Sequence, residues 1–284
     1  MHTPGADAPW RKSSAIVTGL VLVLAFFFGG GLSSARGMPE DHKLDQDFLK
    51  RFGHDFIGVV GAPLRWDSRD FLALAAVSGA GLLLFTFDGD IKDWFQQRRS
   101  AASNEASTIL SYLGNGGVLA ALSAAVYAAG EISDKDKLRQ TALLSVESLA
   151  TATILVWTMK AATGRARPYA DESSRSFHPF SFESRHWSLP SGHAAAAFAV
   201  ATAVAEQSKN VAVDALAYGL ATLAGLSRIH DNKHWASDVL IGSAVGYFTA
   251  KKICDLNSAG GHKRVGLGLQ FSPGRQALTL TFVF

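Results

Sequence analysis

Six apolar stretches of helical length, 71–87, 108–129, 141–162, 192–206, 211–227 and 237–253, constrain this chain more than anything else in it. Alanine and leucine dominate them, their apolar residues do not alternate with polar ones, and each outruns an ordinary strand. All six read as helix. The expected fold is all-α, a bundle of about six helices that carries its functional residues at one end. With 284 residues, 48% of them hydrophobic and 18% charged, the chain has the apolar side chain to build such a core.

The two flanks read differently. Arg11 and Lys12 precede the run "AIVTGLVLVLAFFFGGG", and "SSA" at 33–35 offers the small residues a signal peptidase reads, so 1–35 is expected to be an export signal cleaved after Ala35. The run is also long enough to be a retained membrane anchor. In the segment 36–69, Phe48, Phe52 and Phe56 recur every four residues on one helical face, as in a helix packed on a core, and Asp67 or Ser68 caps the helix that follows. A helical domain over 70–255 comes next. At the far end "VGLGLQFSPGRQALTLTFVF" alternates apolar and polar residues around a Pro-Gly turn, the pattern of a short β-hairpin over 263–284.

Only 71–87 is nearly pure apolar, and Glu147 and Asp214 interrupt two of the other stretches. An exported chain that then crossed a membrane three times would deliver Lys160 to the cytoplasm. The expectation is therefore a bundle buried on itself on the periplasmic side of the cell envelope, soluble or associated with a membrane surface, with an integral bundle as the alternative. Net charge is +3 and the basic residues are scattered, which argues against a nucleic-acid partner and leaves room for a small anion. Cys254 is the one cysteine, so neither an internal disulfide nor a cysteine metal cluster is available.

Polar residues concentrate in three short segments. In "KAATGRARP", Lys160 closes a helix and Arg167 follows seven residues later, so two cations can grip one anion from two sides. In "PSGH", Pro190 opens a helix, and Ser191 and Gly192 are expected to offer backbone N–H groups to an anion at its positive end. In "SRIHDNKHWASD", Arg228 ends one helix while His234 and Asp238 stand at i and i+4 at the start of the next. A carboxylate on Nδ1 fixes the imidazole tautomer whose Nε2 is nucleophilic, so His234 reads as nucleophile and Asp238 as its orienter. Lys160, Arg167 and Arg228 outnumber the needs of a carbonyl oxyanion but suit the three equatorial oxygens of a phosphoryl group. His193 is left to protonate the leaving alkoxide and then to activate water.

In combination and order these segments resemble the signature of the type-2 phosphatidic-acid phosphatase and vanadium haloperoxidase superfamily. That signature is lysine, six residues and Arg-Pro; Pro-Ser-Gly-His; then Ser-Arg, five residues, His, three residues and Asp. Here it is Lys160, Arg167 and Pro168; Pro190, Ser191, Gly192 and His193; Ser227, Arg228, His234 and Asp238, with no position substituted. The resemblance covers roughly residues 70–253. It implies a helical core and hydrolysis of phosphate esters through a phosphohistidine, without metal or cofactor. The substrate class it implies is a phosphorylated lipid, such as phosphatidate, an isoprenoid pyrophosphate or lipid A, or a small phosphate ester. A vanadium-dependent haloperoxidase and a non-catalytic envelope binding protein on the same fold are the alternatives. Between the first two segments lies a loop long enough to fold over the pocket. Its His178, His186, Arg175 and Arg185 read as solvated, with contact to the substrate as the alternative, and His230, Asp231 and Lys233 as residues that shape a turn.

Overall fold

A computed structural model describes residues 43–258, 265–272 and 275–282. Its described residues hold eight α-helices: α1 Gln46–Val60, α2 Ser68–Gln97, α3 Ala101–Tyr112, α4 Gly116–Ile132, α5 Asp136–Thr163, α6 Gly192–Ser208, α7 Val211–His230 and α8 Ala236–Leu256. The expected all-α body is present, with one stretch divided. The run 108–129 breaks at Leu113–Asn115, and α3 and α4 meet at a bend of 53°. Asn115 caps α4 by accepting from the Val118 N–H at 3.1 Å. A Cβ on Gly114 would lie 2.8 Å from the His193 carbonyl, so the break makes room for the start of α6. After the helices the backbone runs as two antiparallel strands, β1 Val265–Ser272 and β2 Arg275–Phe282. The turn expected at Pro273-Gly274 and the export signal expected at 1–35 lie outside the described residues.

The centre of the body is α6, packed against α5, α7 and α8. Its buried side chains are nearly all alanine, Ala194 to Ala197, Ala199, Ala201 and Ala203, which lets neighbouring backbones approach closely. Two glycines of α8 bring it closer still. A Cβ on Gly242 would collide with the Ser191 carbonyl, and one on Gly246 with the Ala195 carbonyl. Gly246→Ala is accordingly expected to cost about 1–3 kcal/mol through overpacking. Thermal unfolding of the detergent-purified protein reads that loss, and an unchanged midpoint would contradict the contact.

At α2 the expected burial of every apolar stretch fails. Asp67 starts this helix with a capping box shared with Asp70, but only Gly81 and Asp88 of its 30 residues are buried. Phe71, Leu72, Leu74, Leu82, Leu83, Phe87 and Trp94 all face outward. The small residues of α6 and α8 fill the interior, and nothing among the described residues covers this apolar face of α2. By length and composition, α2 and α5 can each cross a membrane, as can the bent pair α3 and α4. The α1 helix lies at the other end of the body, where Asp55 accepts from Asn257 Nδ2 at 2.6 Å beside the end of α8. Phe48 is buried there, as expected of a core-packing helix. Because α8 has 21 residues, residues 43–60 and the start of α8 stand about 30 Å apart.

Candidate active site

The polar segments meet at the end of the body where α5 and α7 finish and α6 and α8 begin. Lys160 sits in the last turn of α5, which Gly164 stops in the left-handed conformation at φ 57°. The His178 carbonyl packs against Gly164 where any side chain would sit. Lys160 Nζ donates to the carbonyls of Trp187 (2.5 Å) and Ser188 (3.3 Å). Arg167 is held from the same stretch, its N–H donating to the Arg185 carbonyl at 2.8 Å and its Nε to the Ser184 carbonyl at 3.0 Å. Arg228, in the last turn of α7, donates to Asp231 Oδ2 at 2.9 Å, and Ser107 of α3 donates to the other oxygen of Asp231 at 2.6 Å. The turn residue Asp231 thus aims Arg228.

The two imidazoles lie among these cations. His193, in the first turn of α6, is pushed down to about 4, by burial first and then by Arg228, Arg167 and Lys160. His234 is pushed down to about 3 by burial, with Lys160 and Arg167 adding to the shift and Asp238 opposing it. Both are neutral at pH 7 while the site is empty. All five expected groups, Lys160, Arg167, Arg228, His193 and His234, therefore share one electrostatic environment, in which the three cations outnumber the carboxylates of Asp231 and Asp238. Such a site suits an anion.

Two expectations need correction. Asp238 Oδ2 faces His234 Nδ1 at 3.7 Å, beyond hydrogen-bonding length, and Nδ1 has no hydrogen-bond partner. The carboxylate is engaged elsewhere: Oδ1 accepts from Arg165 Nη1 at 2.6 Å, and Oδ2 from Ser188 Oγ at 2.5 Å and the Trp235 N–H at 2.9 Å. Burial opposes its charge, but the His234 imidazole, Arg165 and Ser188 together hold the Asp238 carboxyl below the usual carboxylate range. Nor is the Ser191 N–H free for an anion, because it donates to the Asp238 carbonyl at 2.9 Å, a contact that the glycine face of α8 brings within reach. Ser191 Oγ caps α6, leaving Gly192 as the first N–H of that helix.

Behind Asp238 lies a buried ion network that sequence reasoning missed. Arg165 is fully buried, with Nη1 shared between Asp238 Oδ1 and Ser237 Oγ (2.7 Å), Nη2 on Asp88 Oδ2 at 2.7 Å, and Nε on the Ser174 carbonyl at 2.9 Å. Asp88, also fully buried, accepts in addition from the Ser237 N–H at 3.0 Å and from Ser237 Oγ at 2.6 Å. The rings of Phe85, Trp235 and Phe177 surround the guanidinium, with centroids at 4.7, 5.6 and 5.9 Å. A signal existed: Asp88 is an acid at the end of a long apolar run, where a charge is costly unless paired.

The chain matches the PAP2 superfamily over residues 141–256. It is 31% identical over 206 residues to a protein of Rhizobium johnstonii named lipid A 1-phosphatase, covering 66% of this chain and 80% of that one. The chain belongs to the PAP2 superfamily. A lipid A 1-phosphatase of Porphyromonas gingivalis is 49% identical over 61 residues, which span 21% of this chain and only 14% of that protein. The crystal structure of a transmembrane PAP2-type phosphatidylglycerolphosphate phosphatase from Bacillus subtilis shares the fold, with a TM-score of 0.51 at 23% identity, covering 66% of this chain and 98% of that one. The two curated relatives are phosphatases by name, which supports a phosphoric-ester hydrolase. Asp88 lies outside the matched PAP2 region.

Proposed function

We propose that this PAP2 protein hydrolyses a lipid phosphate or pyrophosphate at a membrane surface through a phosphohistidine on His234, with a lipid A-type phosphate as the leading substrate. The observation that carries this is the convergence of Lys160, Arg167 and Arg228 around two imidazoles held neutral. The outward apolar face of α2 and the named function of the Rhizobium relative support a lipid rather than a soluble ester. His234 Nε2 attacks phosphorus as the P–O bond breaks, and the leaving alkoxide takes a proton from His193. Water then gives a proton to His193 as its oxygen displaces the imidazole, and inorganic phosphate departs. A dianion in the pocket offsets the surrounding positive charge and raises the proton affinity of His193 for its acid role. Asp238 needs to close less than 1 Å to brace His234, and such contacts tighten when substrate binds.

Phosphate release from lipid A-type, phosphatidate and isoprenoid pyrophosphate substrates and from soluble esters, with and without detergent, tests this. Lipid substrates are expected to have the highest kcat/KM, with vanadate inhibiting. Preference for soluble esters, or halide oxidation with added vanadate, would overturn it. The two histidines also set opposite limbs in pH. His234 must be neutral, so its contribution is lost only as pH falls through about 3; His193 must be protonated, so its contribution declines as pH rises through about 4. The ratio of kcat/KM for an alkyl phosphate to that for an activated aryl phosphate should thus fall with rising pH, and His193→Ala should flatten it. A wild-type ratio independent of pH would remove the acid from His193.

A membrane-embedded bundle also separates its two ends. Residues 43–60 and the site would then face opposite sides, so a periplasmic site places 43–60 in the cytoplasm. Labelling single cysteines at Leu44 and Phe182, in a Cys254→Ser background, with a membrane-impermeant maleimide on intact cells reads the orientation. Labelling of Phe182→Cys alone is expected.

A further inference from the structure

The loop between α5 and α6 carries a second polar cluster that takes no part in phosphoryl transfer. Glu172 turns one carboxylate oxygen toward His178 Nε2 at 2.7 Å and the other toward His186 Nε2 at 3.2 Å. The two imidazoles are stacked, with centroids 4.0 Å apart and planes inclined by 23°. One ligand atom from each of the three residues lies within 4.8 Å of the others. His186 is buried, and its remaining nitrogen, Nδ1, is 2.8 Å from Ser181 Oγ. Glu172 and His178 are partly open to solvent.

His178 and His186, expected as solvated loop residues, form a His-His-Glu set with Glu172. Two imidazoles and a carboxylate are a ligand set for zinc-class ions, whereas magnesium and calcium take oxygen ligands. Metal bonds of about 2.0–2.2 Å to each would hold the three ligand atoms about 3.3–3.6 Å apart, so the ligand atoms, now within 4.8 Å of one another, draw together and the stacked rings tilt to aim both lone pairs at one ion. The Ser181 contact at Nδ1 is the kind of outer partner that orients a metal-bound imidazole. One divalent ion bound by both Nε2 atoms would satisfy the two imidazoles and the carboxylate together. The open side of His178 and Glu172 gives the ion an entry path and room for a water as fourth ligand.

We propose that Glu172, His178 and His186 bind one zinc-class divalent ion, and that this ion staples the loop that aims the phosphate-binding cations. The ligands come from both limbs of the loop. The limb of His186 also supplies the carbonyls of Ser184, Arg185, Trp187 and Ser188 that hold Arg167 and Lys160. Removing the ion should loosen these cations and raise KM for the phosphate ester, with little change in kcat. This kinetic consequence rests on the phosphatase reading; metal binding does not.

Calorimetric titration of the chelator-stripped, full-length protein in detergent with Zn²⁺ tests the site, beside Co²⁺ absorption as a report of nitrogen ligation. Because His193 and His234 also offer nitrogens, titrations are repeated in a His234→Ala background. One tight equivalent is expected in both backgrounds, weakened about a hundredfold or more by Glu172→Ala with His186→Ala. His178→Ala alone, on a half-exposed ring that leaves the core intact, should give a similar loss and abolish the Co²⁺ band. Failure of the wild type to bind at tens of micromolar free Zn²⁺, or unchanged binding in His178→Ala, overturns the site. An unchanged KM in a metal-free protein that binds zinc as expected would overturn the staple but not the site.

Discussion

His234→Ala is expected to lower turnover by about 10⁴-fold or more, close to complete loss, because His193 is committed to proton transfer and removing a covalent nucleophile has costs of that order. The site that remains, with Lys160, Arg167 and Arg228 in place, should still bind phosphate. KM or the inhibition constant for inorganic phosphate is therefore expected to move far less than kcat. Acid-labile, base-stable phosphoenzyme should appear on rapid quenching of the wild type and be missing from the variant. A variant that keeps a tenth of wild-type turnover, or that still forms such phosphoenzyme, would remove His234 from the role. His234 is buried, so unfolding of the variant is monitored separately.

The second large effect is on stability. Asp88→Ala strips a fully buried guanidinium of one of its two carboxylate partners and is expected to cost about 3–5 kcal/mol, as loss of one member of a buried pair does. Asp88→Asn keeps an acceptor for Ser237 and should cost less. Pairing Asp88→Leu with Arg165→Met removes both charges, and the double variant should be less destabilised than the sum of the singles by about 1–3 kcal/mol. Denaturant unfolding in detergent reads each value, and strict additivity would mean that the pair does not act as a unit. Arg165 also holds Asp238, so turnover in Asp88→Asn should fall although residue 88 does not face the pocket.

What was legible in the chain was local. Lys160 and Arg167, Ser191 and His193, and Arg228, His234 and Asp238 each lie within a dozen residues and mark helix ends, and antiparallel packing of α5 to α8 was enough to bring them together. What was hidden depended on distance. Asp88 meets Arg165 across 77 residues, and the apolar count that delimited the first helix stopped at residue 87, one short of it. The break at Gly114 was invisible because it answers to the start of α6 rather than to its own neighbours. The His234 to Asp238 spacing correctly placed the two side chains on one face, but spacing cannot say that Arg165, Ser188 and Trp235 compete for the same carboxylate. The burial expected of α2 rested on a count of membrane crossings, against its nearly pure apolar composition; with alanine helices filling the interior, its large side chains stand outside.

Asp88 has one more consequence, a mechanical one. A rod greasy on nearly every side has no preferred azimuth in an oily solvent and can spin about its long axis or slide along it at little cost. One carboxylate keyed into a guanidinium removes both freedoms, so α2 would enter a bilayer with its rotation and depth already locked to the reacting end of the protein.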